Sequence, residues 1–221
     1  LRSILKISIC AIIISASGCK QINVEPEEFI YFNNFESEDY TGLEGVFTSI
    51  FEGNRVMGFF NKRGFYLNLA DLPNHDYIHL TFDLYIHDSW EGNASLEGEP
   101  LDEKDSWVLE IDAAKNQRTR DNIYYETTFS NGFCTSGFCY TQSFPDLFPS
   151  TNDSRKAVAN VTNGRCLWPD TPNGTSMYMM DLVFNHTDKN TVLSFYDKLN
   201  GNLCDESWSL DNLSVSVFKK N

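Results

Sequence analysis

Basic residues are scarce: 17 Lys and Arg stand against 31 Asp and Glu in 221 residues, a formal net charge of −14. That balance excludes a nucleic-acid surface, whose phosphates need clustered Lys and Arg. It leaves cations, neutral glycans or a basic partner. Long apolar runs are missing too. The run Ile7–Ile14 is broken by Ser8 and is too short to span a bilayer as a helix. After residue 28 no apolar pattern keeps a helical period for more than a turn or two, which excludes helix bundles and alternating βα folds. There is no G-x-S-x-G, H-E-x-x-H or phosphate-binding loop, so the common hydrolase, zinc-protease and nucleotide frames are absent. The four His are scattered, and His79 and His87 read as surface positions on the polar phase of one run.

What is present is a succession of short aromatic and β-branched runs separated by Gly, Asn and Asp, the mark of antiparallel strands. In Tyr77–His87, Ile78, Leu80, Phe82, Leu84 and Ile86 share one face. "SWVLEID" alternates again with Trp107, Leu109 and Ile111, and "SMYMMDLVFNHT", "TVLSFYDK" and "SWSLDNLSVSVF" read as three more strands. About ten strands in a chain long enough for one sizeable core predict an all-β fold, a two-sheet antiparallel β-sandwich of jelly-roll type. Residues 131–175 show little periodicity, and so long an irregular stretch needs a tie to the body of the domain.

The N-terminus has Arg2 and Lys6 before the apolar run and "SASGC" after it, the layout of an export signal. The small residues before Cys19 resemble the lipobox of bacterial lipoproteins, with Ala16 where Leu is usual. The resemblance implies a signal peptide over 1–18, acylation of Cys19, and an acidic tether over 19–28 holding a domain over 29–218 at a membrane of the cell envelope. An ordinary cleaved signal is the alternative. Either route leads to an oxidising compartment, where Cys134, Cys139, Cys166 and Cys204 form an even set. The sequence does not choose among their three pairings. The closeness of Cys134 and Cys139 favours joining them and leaving Cys166 to Cys204. A zinc site lacks a second short-spaced Cys or His pair.

Acids gather after the strong strand, at Asp88, Glu91 and the following residues with Asn93 among them, and again at Asp205 and Glu206. Oxygen ligands at this density beside Gly92 suit calcium, and a solvated acidic loop is the alternative. "YFNNFESED" near the start and "LDNLSVSV" at the end resemble the terminal strands of carbohydrate-binding modules and related jelly rolls. In those modules the two ends lie side by side and share a structural calcium, which implies Glu36 and Asp211 as ligands here. Period two also puts Asp211 on the same face as Leu213, Val215 and Val217. More broadly, "DSWEGN", "DSWVLEID" and "DESWSLDNLSV" are similar to a class of secreted bacterial β-sandwich domains with a "DSWDGN" loop and a "DESWGLDNV" ending. Ser209 stands where that class has Gly. The class carries no established catalytic residues.

"EID" at Glu110–Asp112 is similar to the catalytic strand of laminarinase-like glycosidases, but the second Glu that would complete an acid pair is replaced by "AAKN". Glu110 and Asp112 then read as outward positions of an alternating strand. Among the aromatics, Trp107 and Trp208 fall in strand phase and read as packing residues. Trp90 and Trp168 lie in loops and are the better candidates for stacking on a sugar, ahead of Tyr124 and Tyr125, with packing of the loops as the favoured alternative. The expected molecule is a lipid-anchored envelope protein displaying a calcium-stabilised sandwich that binds a glycan without catalysis. A carbohydrate-active enzyme of the same fold and a purely adhesive surface protein are the alternatives.

Overall fold

The computed structural model describes residues 26–93, 104–112, 123–132 and 139–220. Cys19, Cys134 and the signal and lipobox residues lie outside them. The described residues hold fourteen strands and no helix. One sheet contains β1 (Glu28–Asn33), β3 (Thr48–Phe51), β4 (Asn54–Phe60), β6 (Tyr77–Asp88), β11 (Asn160–Thr162), β12 (Thr175–Asn185) and β14 (Glu206–Phe218). Its order is β11-β12-β6-β14-β4-β3, with β1 also paired to β14. The second sheet contains β2 (Leu43–Glu44), β5 (Gly64–Leu69), β7 (Ser106–Ile111), β8 (Ile123–Thr128) and β13 (Thr191–Lys198), ordered β2-β5-β13-β7-β8. A small ribbon joins β9 (Thr141–Gln142) to β10 (Asn152–Asp153). The strand ladders are antiparallel, and the fold is the jelly-roll β-sandwich expected.

Alternation builds the core. Ile78, Leu80, Phe82, Leu84 and Ile86 of β6 are buried, facing Leu193 and Phe195 of β13 and Trp107, Leu109 and Ile111 of β7 across the sandwich. Each such side chain contributes about 1.5–3 kcal/mol by leaving water. An aromatic seam fills the centre: Phe65 stacks on Phe195 at 4.6 Å, and Trp208 meets Phe60 at 4.8 Å and Trp107 edge-on at 6.1 Å. The buried Trp208 indole donates to Asp197 Oδ2 at 2.8 Å, so its one polar atom is satisfied.

The last strand departs from strict period two. Leu210 pairs with Leu84 and Asp211 with Asp83, but Ser214 is the next partner, opposite Thr81. Three residues of β14 thus oppose two of β6, with Asn212 at a φ of 54°. This bulge shifts the phase. Leu210, Leu213, Val215 and Val217 all point into the core, while Asp211 turns to the outer face beside Asp83. Asp211 is buried there without facing the sandwich interior, which corrects the alternation drawn through it.

His87 is also corrected. It is fully buried, hydrogen-bonded to Ser209 Oγ at 2.8 Å and Thr175 Oγ1 at 3.1 Å, and packed against Phe51 and Phe59. Burial holds its imidazole well below the ordinary range. His79 sits on the outer face between Glu27 and Asp181, both at 2.9 Å. Burial pushes that imidazole down, but the two carboxylates outweigh it and raise it. Glu27 also accepts from Ser216 at 2.5 Å, and Glu28 pairs with Val217. The last residues assigned to the tether therefore belong to the sheet.

The aperiodic stretch is held by buried amides as well as a disulfide. Asn131 donates to the carbonyls of Ile86, Asp88 and Gly174, and Gln142 binds Phe144, Lys156, Ser130 and Arg155. Cys166 is bonded to Cys204, and Cys139 is disulfide-bonded as well.

Candidate functional site

The outer face of the five-stranded sheet can be read off the register. Across the strands one row runs Glu44, Tyr66, Ser194, Glu110, Tyr124, from β2 through β5, β13 and β7 to β8. The next runs Gly64, Tyr196, Val108, Glu126. Strands lie ~4.8 Å apart, so Tyr66 and Tyr124, three strands apart, are separated by roughly 14 Å. Between them the floor is low. Ser194 is small, and Gly64 carries no side chain because the β13 backbone lies against it: a Cβ there would come within 1.9 Å of the Phe195 carbonyl oxygen. The result is a cleft of about 810 Å³ lined by Glu44, Lys62, Tyr66, Asn68, Glu110 and Tyr196 among others. Tyr66 and Tyr124 are 48% and 44% exposed, unusual for rings that could have joined the core.

The polar groups of this face are held in place by one another. Tyr196 Oη donates to Glu110 Oε2 at 2.9 Å, and Tyr124 Oη donates to Glu126 Oε2 at 2.6 Å. Burial and these carboxylate acceptors push both phenols up, so they remain donors. Burial pushes the Glu126 carboxyl up, but Tyr124, Lys198, Ser106 and Lys104 together outweigh it and hold it at about 2. Lys198 Nζ reaches Glu126 at 3.0 Å, and Lys104 Nζ reaches it at 3.2 Å. Asn68 donates to Glu44 Oε1 at 3.1 Å. Rings, carboxylates and an amide fixed on a rigid sheet can offer apolar faces and directed hydrogen-bond partners to one ligand.

The loop candidates have different roles. Trp90 is completely buried, its indole donating to the Ser207 carbonyl at 2.9 Å, which corrects its assignment to a ligand surface: it packs the loop onto Phe129. Trp168 is half-buried in the segment beside Asp88, its amide donating to Asp88 Oδ1 at 3.1 Å. Asp88 also takes the Cys166 amide at 3.1 Å. Asn93 accepts from Thr128 and Ser143 and donates to the Ser150 carbonyl. Asp88 and Asn93 thus tie loops together, each facing its own neighbours.

Glu91, Asp205 and Glu206 do come together, around Asp105. The Glu91 amide donates to Asp105 Oδ2 at 2.5 Å, Ser89 donates to Asp205 Oδ1 at 2.7 Å, and the Gly201 amide donates to Glu206. Asp105 and Glu206 are hydrogen-bonded to each other, and burial together with the Glu206 charge pushes Asp105 well up. At the other cluster β1 and β14 lie side by side as expected. Burial, opposed by the Asn212 amide and reinforced by Asp83 and Glu36, pushes Asp211 up to about 6. Glu36 Oε1 takes the Arg55 amide at 2.6 Å, and Asn212 donates to Asp83 at 2.8 Å. Among the described residues no three His, Cys, Asp or Glu side chains are arranged to hold a metal ion.

No family model matches the chain, and no curated protein matches it. Among solved structures it is similar to a carbohydrate binding module of Cellvibrio mixtus lichenase 5A in complex with cellotriose, with 11% identity and a TM-score of 0.35 over 85% of this chain and 97% of that one. It is also similar to a 4-O-methyl-alpha-glucuronidase with specificity for decorated arabinogalactans, with 14% identity and a TM-score of 0.33 over 85% of this chain and 17% of that one. A third is the Clostridium thermocellum endo-1,4-beta-D-xylanase 10B complexed with xylohexaose, with 8% identity and a TM-score of 0.35 over 86% of this chain and 28% of that one. The chain thus spans less than a third of the second and third of these proteins.

Glu110 is an outward position as expected, and it lines the cleft. Asp112 is corrected: it lies just past β7, buried, with Oδ1 on the Val192 amide at 3.1 Å and Oδ2 toward His186 at 3.3 Å. The two acids share no open site. Tyr66, Tyr196, Glu44, Asn68 and Ser194 were missed in the sequence. Their signal was there, in the polar phase of "GFYLNL" and "TVLSFYDK", where tyrosines interrupt an otherwise hydrophilic face.

Proposed function

We propose that the outer face of the five-stranded sheet binds a glycan without cleaving it. The observation that carries this reading is the row Glu44–Tyr66–Ser194–Glu110–Tyr124, with Tyr196 beside it, open across a low floor. Sugar C–H faces stack on tyrosine rings, and hydroxyl groups donate to fixed carboxylates. The placement of the acids supports binding without catalysis: Glu126 is held charged by Tyr124 and two lysines, and Asp112 is buried away from Glu110. A glycan array probed with the domain from residue 26 onward is expected to return at least one polysaccharide class. Tyr66→Ala, at an exposed ring, is expected to weaken binding about tenfold or more without moving the melting temperature. A blank array, or Tyr66→Ala binding as wild type, overturns the reading.

Two further elements belong to the proposal. A hard cation shared by Glu36 and Asp211, with main-chain carbonyls completing its ligands, would relieve the carboxylate crowding there, since calcium takes its ligands from such oxygens. Acylation at Cys19 would hold the domain at a membrane of the cell envelope through the residues before β1. For the anchor, Cys19→Ser is expected to move the protein from the membrane fraction to the soluble fraction. Retention in the membrane would overturn it.

A further inference from the structure

At one end of the sandwich three loops are joined by an unbroken chain of short contacts. The Pro73 carbonyl oxygen lies 2.6 Å from His75 Nδ1, His75 Nε2 lies 2.8 Å from His186 Nδ1, and His186 Nε2 lies 3.3 Å from Asp112 Oδ2. The two rings stack within 13° of parallel, and His75, His186 and Asp112 are all buried. The chain links the β5–β6 loop, the end of β7 and the β12–β13 loop.

Counting protons along it gives a definite result. A carbonyl oxygen and an ionised carboxylate oxygen can only accept, and a neutral imidazole carries one N–H. Three contacts need three protons, and two neutral rings supply two. Whichever tautomers are chosen, one contact then sets lone pair against lone pair inside the protein, where such a mismatch is costly. One more proton completes the set. His75 Nδ1 then donates to Pro73, one N–H lies between the rings, and one proton lies between His186 Nε2 and Asp112. The result is a single positive charge spread over the ring pair, beside a carboxylate.

We propose that His75, His186 and Asp112 form a one-proton latch, which draws the three loops together when the proton is bound and loosens them when it leaves. The proton has a route, because a cavity of about 510 Å³ lined by Asp112, His186 and Asp188 opens onto the chain. Among the described residues Asp188 is the other carboxylate on that cavity, and Lys189, next to it, is exposed. From the β5–β6 loop, Asp76 turns its carboxylate to the Lys220 amide and gives its carbonyl to the His186 amide. Asp71 is exposed, and its amide donates to Asn190. The latch also reaches the sheet cleft, since Asp112 holds both the amide and the carbonyl of Val192, a residue on the cleft wall.

The test is nitrogen-15 NMR of the imidazole rings in the whole domain between pH about 8 and about 5, the range in which histidine ordinarily changes charge. His75→Gln and His186→Gln serve to assign the signals. The expected result is a single shared titration, with two ring N–H protons on the pair at the alkaline end and three at the acid end. Amide exchange at His186 and Val192, corrected for its intrinsic pH dependence, is expected to quicken about tenfold toward the alkaline end in wild type and to lose that dependence in His186→Gln. Two separate titrations ending in two imidazolium rings, or no change of ring protonation, would overturn the latch. Should a variant fail to fold, the wild-type count of ring protons decides alone.

Discussion

Reducing the Cys166–Cys204 bridge, or replacing both cysteines by serine, is expected to lower the unfolding free energy by about 4 kcal/mol. The bridge closes a 38-residue separation, and a loop of that length removes about this much chain entropy from the unfolded state. The native contacts point the same way. The segment it pins supplies the Cys166 and Trp168 amides that neutralise the buried Asp88 carboxylate, and it carries Arg165, which binds Ser207 and the Leu203 carbonyl. Without the bridge, residues 163–174 are expected to exchange their amides before the sandwich opens. Denaturant midpoints with and without reductant, read beside residue-resolved hydrogen exchange, measure both parts. An unchanged midpoint would show that the buried amides alone hold the segment.

The second large effect concerns Asp211, and its sign depends on calcium. In the folded protein this carboxyl titrates at about 6 against an ordinary 3.8, so folding takes up a proton. The corresponding stability is fully present below the ordinary value and is lost as pH rises through about 6. At neutral pH under chelation, Asp211→Asn is therefore expected to stabilise the domain by about 2 kcal/mol, allowing for screening by solvent near Asp83 and Glu36. It is also expected to flatten the decline between pH about 4 and about 6. In excess calcium the same substitution is expected to destabilise, because it removes a charged ligand. Thermal melts of both proteins with calcium and with chelator give four values. Stabilisation in both conditions would mean that no cation sits between Glu36 and Asp211. Destabilisation under chelation would mean that the Asn212 amide bond to Asp211 outweighs the repulsion between these carboxylates.

The parts of the fold that were legible in the sequence are those set by period two. The inward faces of β6 and β7 stand as alternation drew them, because a strand with one buried face cannot slip by a residue without exposing its whole apolar set. Asp211 and Asp112 were misplaced for local reasons. A bulge at Asn212 and a left-handed turn at Asp112, with a φ of 62°, change the phase of a strand end, and neither leaves a composition signal. His87 was misread because its partners, Ser209, Thr175 and Phe51, come from three distant parts of the chain. The cleft was half visible: Glu110 and Tyr124 were noticed one at a time. What makes them neighbours of Tyr66 and Tyr196 is the order β5-β13-β7-β8, which pairs residues that lie far apart in the chain.

That β14 pairs with β1, β4 and β6 has a consequence for the order in which the protein can be made. Of the described strands, the one at the middle of the long sheet is the last to be synthesised. Until its 13 residues are available, β6 lacks one neighbour, β1 and β4 lack the strand that joins them to the rest, and Trp208 is missing from the aromatic seam. Before β14 emerges the growing chain therefore lacks the strand that closes its long sheet, and contacts of such wide sequence separation make that closure slow.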